Sequence, residues 1–132
     1  MHPVLLDSSF LIALEREIEA GLAGPAMAWL RHEKGRRERA LLVTPVSIGE
    51  FLEGFDDKGP GLEFIARFRS QTIGYQHATK CAEVQRAAAK RGARFGENDA
   101  WQIASAELAK ASIVGRDSKA FTHLGKRYEE LH

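Results

Sequence analysis

Cysteine is nearly missing from this chain: Cys81 is the one thiol in 132 residues. A single cysteine excludes an internal disulfide and a cysteine zinc cluster. Cys81 falls in an amphipathic helical pattern, where a thiol serves as a small, half-buried hydrophobe. An excess of one charge is missing too. The formal net charge is only +1, which excludes holding nucleic acid by bulk electrostatics, because that route needs a strong basic surplus. Any such contact must be local, through a basic patch or a bound metal. No apolar run approaches bilayer length. Met1-His2-Pro3 carries no basic stretch of a secretory signal, and the first apolar run, Val4 to Leu6, stops at Asp7. The expectation is a protein of a reducing, cytoplasmic setting with no membrane partner.

What is present reads as one globular domain over residues 1–132. Apolar residues make up 44% and charged residues 28%, a composition that builds a core and is not that of a disordered chain. Val4-Leu5-Leu6 suits a buried strand, and Ser8 or Ser9 can cap a helix carrying Phe10, Leu11, Leu14 and Ile18 at helical spacing. Gly21 and Gly24-Pro25 break the chain, and Pro25 opens a second helix with Met27, Trp29 and Leu30. Ala40 to Val43 is the next buried strand, ended by Pro45, and a third helix runs from Val46 or Ser47 to about Gly54. Asp56 to Gly61 reads as a loop. A fourth helix carries Leu62, Phe64, Ile65 and Phe68, and Thr72 to Tyr75 as a short strand. Residues 77 to 91 form a helix that Gly92 stops, and Asn98 to Ala111 form another. Ser112-Ile113-Val114 is a buried strand, followed by a short helix with Ala120, Phe121 and Leu124. The strand runs are apolar without a period of two. That pattern predicts an α/β fold, a three-layer α/β/α sandwich around a central, mostly parallel sheet.

Four acids stand where these elements begin or end: Asp7, Glu50, Asp99 and Asp117. In an open parallel sheet, ligands gather outside the carboxyl ends of the strands. Asp7 directly follows the first strand, Asp117 comes shortly after a later one, and Asp99 and Glu50 lie near helix starts. Were all four to meet, each pair about 6 Å apart would repel by roughly 3 kcal/mol at an effective dielectric near 20. A cation removes that cost. Oxygen ligands without histidine or cysteine favour magnesium or manganese over zinc. Such a metal binds phosphate oxygens, lowers the pKa of a water and stabilises an in-line displacement. Each acid also has a plainer use. Ser47-x-x-Glu50 fits a capping box, Asp99 complements a helix dipole, and Asp7 and Asp117 can cap the helices that follow them.

Leu5 to Ile12, Gly49 to Gly54, Asn98 to Trp101 and Val114 to Phe121 resemble, in order, the four acidic motifs of PIN domains, and among these the VapC-type toxin ribonucleases. The resemblance implies a parallel sheet between helices and cleavage of RNA with Mg2+ or Mn2+. It implies that Asp7, Glu50, Asp99 and Asp117 are the metal-site acids, with Ser8 or Ser9 the small hydroxyl residue supporting the site. It also implies a homodimer and a cognate antitoxin protein, whose peptide segment lies over the acidic pocket. At two positions the chain departs from the family pattern. The last motif commonly has Thr or Ser two residues before its Asp, where Gly115 stands here, so a supporting hydroxyl is expected to be missing. Three positions after Asp99 the family usually has an aliphatic residue; Gln102 followed by Ile103 implies a shifted packing face.

Other readings compete. An aspartyl-phosphate phosphatase needs a second Asp two positions after the first, where this chain has Ser9, and a receiver domain needs paired acids that are not apparent. A degenerate member that binds RNA or an antitoxin without cutting is the non-enzymatic alternative. Arg31, Lys34, Arg36, Arg37 and Arg39 form a basic cluster that either grips RNA phosphates or is a solvated helix end and loop. Arg116 either touches phosphate or pairs with a nearby acid. Trp29 and Trp101 fall within apolar helical patterns and read as packing residues more than as stacking platforms. His32, His77 and His123 share no ligand spacing. Phe51, Phe55, Phe64 and Phe68 are core candidates, and any left exposed would suit a dimer seam or a groove for an antitoxin helix.

Overall fold

The computed structural model describes residues 2–36, 39–116 and 118–131. Strands and helices alternate: β1 (Val4–Leu6), α1 (Ser8–Ala20), α2 (Pro25–Arg36), β2 (Leu41–Val43), α3 (Pro45–Leu52), α4 (Lys58–Ile65), β3 (Arg69–Ser70), α5 (Tyr75–Lys90), α6 (Glu97–Ala109), β4 (Ser112–Gly115), α7 (Ser118–Phe121), a 3₁₀ helix (Thr122–Arg127) and β5 (Tyr128–Glu130). The strands pair in the order β3-β2-β1-β4-β5, every ladder parallel. This is the expected α/β sandwich with a parallel central sheet.

The strands are apolar on both sides because both sheet faces are covered. Val4, Leu6, Val43 and Val114 turn to one side and pack with Phe10, Leu11, Leu14, Phe51 and Phe64 of α1, α3 and α4. Leu5, Leu42 and Ile113 turn to the other and pack with Val84, Ile103 and Phe121 of α5, α6 and α7. The phenylalanines proposed as core are core or nearly so. Phe51 and Phe64 are buried, Phe55 and Phe68 are partly buried against them, and the rings lie 5.0 to 5.8 Å apart.

Several local expectations give way to other structure. The third strand is Arg69–Ser70, not Thr72–Tyr75, and Tyr75 instead opens α5. Both residues of this edge strand are exposed, so no apolar run marks it. The Asp56–Gly61 loop ends early: Asp57 caps α4, accepting from the Gly59 amide at 3.1 Å, and Lys58 to Gly61 are already helical. Pro60 is tolerated there because amides in a first turn need no intrahelical partner. Gly61 has a packing reason, since a Cβ at that position would come within 2.7 Å of Leu52 Cδ2. At the other edge, β5 adds a strand that apolar patterning did not indicate.

β1 has β2 on one side and β4 on the other, so the chain direction across the sheet reverses between β1 and β4. The crevice outside the carboxyl ends of those two strands is the topological switch point, where ligands of open α/β sheets bind.

Candidate functional site

Asp7 sits at that switch point. It is the first residue past β1 and caps α1 in an extended conformation. Its Oδ2 accepts from the Ser9 hydroxyl at 2.7 Å and from the Ser9 amide at 3.2 Å, and its Oδ1 accepts from Gln102 Nε2 at 3.5 Å. The plain capping role is therefore real, yet it leaves an acid that is only 4% exposed. Burial pushes the Asp7 carboxyl above its ordinary range, and the bonds from Ser9, Gln102 and the Ser8 amide pull it partly back. No salt bridge reaches Asp7 among the described residues.

Glu50 lies half-buried on α3 and accepts from the Ser8 hydroxyl at 3.1 Å. Ser47 is not its capping partner. Thr44 caps α3, accepting from the Ser47 amide at 3.1 Å with Pro45 in the first turn, while Ser47 is fully buried inside the helix. Asp99 lies half-buried in the first turn of α6. Its carboxylate is turned toward the helix start, where a Cβ on Gly96 would come within 3.3 Å of Oδ2. Asp117 lies outside the described residues. Among those described, no group of three or more His, Cys, Asp or Glu side chains could hold a metal ion. The structure thus joins Asp7 and Glu50 through the adjacent serines of α1, and connects Asp7 to the helix that carries Asp99 through Gln102.

The hydroxyl expected to be missing at Gly115 is supplied from the first turn of α1. Ser9 Oγ donates to Asp7 and accepts from the Arg116 amide at 2.8 Å, bridging the ends of β1 and β4. It fills the space beside Gly115, where a Cβ would come within 2.8 Å of Ser9 Oγ and 3.2 Å of Asp7 Cβ. Gln102 is the residue that sequence reasoning misjudged. Its packing face is not shifted: the residue is 1% exposed, its Oε1 accepts from Thr44 Oγ1 at 2.6 Å, and its Nε2 donates to Ser47 Oγ at 2.5 Å. The available signal was a lone amide within a helix face of Ala100, Ile103 and Ala104.

Two hollows flank this mouth, sharing Ile12 and Arg16. One, of about 710 Å³, is lined by Ser9, Arg16 and Arg116. Its only acid among the described residues, Glu17, accepts from the amides of Gly24, Ala26 and Met27 at the start of α2. The other, of about 500 Å³, carries Glu15, Glu19, Glu50, Asp56 and Asp57. Of the basic cluster, Arg37 lies outside the described residues and Arg39 is bound to Glu33 and Glu129. Trp29 packs edge-on against Phe10 at 5.2 Å, and His77 accepts from the Gly74 amide at the start of α5. Neither stands at the mouth.

The PIN-domain profile matches residues 4–127, and the chain belongs to the PIN-domain family, a family of nucleases. Solved structures share its fold at low identity. VapBC2 from Rickettsia felis, bound to a DNA fragment from its promoter, superposes with a TM-score of 0.77 at 14% identity over 98% of both chains. VapBC-1 from nontypeable Haemophilus influenzae gives 0.74 at 16% over 96% of both. VapBC-5 from Mycobacterium tuberculosis gives 0.65 at 20%, covering 100% of this chain and 99% of that one. No curated protein matches the sequence.

Proposed function

We propose that this chain is a magnesium- or manganese-dependent endoribonuclease, the toxin half of a toxin–antitoxin pair, with Asp7, Glu50, Asp99 and Asp117 as its metal-site acids. One observation carries the reading: a carboxylate sealed at the switch point, oriented by neutral donors on both oxygens, with no salt bridge among the described residues. A buried carboxylate of that kind is costly unless a cation uses its charge. The donors present are oxygens, which suit magnesium or manganese. A bound ion of that type would polarise a phosphodiester and activate water. Asp7, kept aimed by Ser9 and Gln102, would hold the ion together with Asp117, and Glu50 and Asp99 would approach it from α3 and α6, since the described acids alone make no ligand group. Arg16 and Arg116 line the less acidic hollow and can receive an RNA backbone, whereas the acids around Glu50 repel one.

The partner reading has its own support. Solved structures of like fold include VapBC complexes. An apolar groove of about 470 Å³ lies between α1, α2 and α4, floored by Leu14, Met27, Leu30 and Phe64 with Lys34 and Arg67 beside it. It suits an amphipathic antitoxin helix with acidic flanks. The homodimer is carried over from the family resemblance.

The test is RNA cleavage with Mg2+ or Mn2+, comparing wild type with Asp7→Asn and Asp99→Asn. Removing either acid is expected to lower the rate about 100-fold or more, the several kcal/mol of charge stabilisation that a metal supplies. Undiminished cleavage by both variants would take the acids out of the mechanism. Folded protein that binds RNA but no Mn2+ would instead be a binding module.

A further inference from the structure

Gln102 is a primary amide at 1% exposure, in a helix whose other buried residues are Ala100, Ile103, Ala104, Ser105 and Ala106. Burying an amide without partners costs several kcal/mol by the harsher transfer scales, so its bonds explain its presence. Its oxygen accepts from Thr44, and its nitrogen donates to Ser47 and Asp7. An amide nitrogen has two hydrogens, and both are used. Because the Asp7 oxygen accepts, the NH2 group is turned toward Asp7 and the amide oxygen toward the Thr44 hydroxyl. An aliphatic residue of the same size would fill the space and leave two hydroxyls and a carboxylate oxygen short of a partner.

Helix periodicity gives this network a second meaning. Ser47 and Glu50 are three apart on α3, and Asp99 and Gln102 are three apart on α6. Residues at that spacing share a helix face. The Ser47–Gln102 bond therefore joins the two acid-bearing helices one turn away from each acid, and the Gln102–Asp7 contact ties the pair to the end of β1. We propose that Gln102 is a positioning residue: its buried amide fixes α6 against α3 and so sets where Glu50 and Asp99 stand relative to Asp7. The inference rests on the metal-holding reading above, and it assigns to Gln102 no contact with metal or substrate.

The test is Mn2+ affinity by calorimetry on the full chain, with thermal unfolding as the control for folding. Gln102→Met keeps the volume and removes the amide. Ser47→Ala/Gln102→Met also removes the hydroxyl that the first change strands, so it regains stability. Both are expected to bind Mn2+ about 10- to 100-fold more weakly than wild type, the usual loss when a group orienting a metal ligand is removed. Wild-type binding that depends on Asp7 yet is unchanged in Gln102→Met overturns this proposal alone. Affinity regained in the double variant does so as well, because it reduces Gln102 to a packing role. A wild-type chain with no Mn2+ binding overturns this proposal together with the metal reading.

Discussion

Asp7 and Glu33 are buried to the same degree, each 4% exposed, yet the protein treats them in opposite ways. Glu33, on α2, accepts from Arg39 through both oxygens, at 2.5 and 3.0 Å. The same guanidinium donates to Glu129 of β5 at 2.7 Å, and Trp29 Nε1 donates to that acid at 3.2 Å. Arg39 is held firmly charged by Glu33 first and Glu129 second. This clamp closes α2 against the last strand. Asp7 has hydroxyl, amide and peptide donors, which fix its direction, and no cationic partner among the described residues. A buried acid with its own arginine is architecture; one held only by neutral donors is what the proposed metal reading uses. The contrast, more than the mere presence of acids, is what supports the proposed site at the end of β1.

The largest expected effect breaks the paired side. Arg39→Met removes both guanidinium bonds from the buried Glu33 and should lower stability by about 3–5 kcal/mol, the usual cost of breaking a buried ion pair. Replacing both partners, Glu33→Leu with Arg39→Met, should recover most of it. Urea unfolding measures both, and RNA cleavage at a temperature where each variant stays folded should be unchanged. A loss below about 1 kcal/mol would put this pair with ordinary surface ion pairs and erase the contrast.

A middle effect sharpens the unpaired side. Gly115→Ser restores the hydroxyl that the family pattern has at that position, but its Cβ would press on Ser9 Oγ at 2.8 Å and on Asp7 Cβ at 3.2 Å. The expected cost is about 1–3 kcal/mol, the range for overpacking a filled site. Ser9→Ala added to Gly115→Ser moves the hydroxyl from the first turn of α1 to the end of β4 and should recover most of the loss. Differential scanning calorimetry reads this directly. If the double variant is no more stable than the single one, Ser9 and Gly115 are not a matched pair.

These residues also show what was readable beforehand. The place of Asp7 at the sheet edge was legible because an acid directly after a buried apolar run ends the strand, and β1, β2 and β4 were legible because both faces of a parallel sheet demand continuous apolar residues. The edge strands escaped for the opposite reason. Arg69–Ser70 and Tyr128–Glu130 are exposed or half-buried, and only backbone pairing makes them strands. The capping-box reading of Ser47 failed because Thr44-Pro45 offers a stronger helix start, with proline's fixed φ in the first turn. That single shift put Ser47 inside the helix and made it available to Gln102. The partnership joins residues 55 apart in sequence, and no local pattern encodes it.

The smallest effect is electrostatic and follows from the raised carboxyl of Asp7. Desolvation by burial is the largest cause, and it lifts the folded-state value above 3.8. The native state then binds more protons than the unfolded chain between 3.8 and the raised value, so wild-type stability falls as pH rises through that window. Asp7→Asn has no charge to desolvate. It should be the more stable protein at pH 7, by on the order of 1 kcal/mol or a few degrees in midpoint, and the advantage should vanish as the pH is lowered into the window. Part of the gain is offset because the new amide faces Gln102 Nε2, donor against donor, which is why this effect ranks last. Midpoints measured across the acid range for the two proteins settle the sign. An advantage that grew on acidification would mean that Asp7 is stabilised as a carboxylate, and its kinship with Glu33 would be closer than the structure implies.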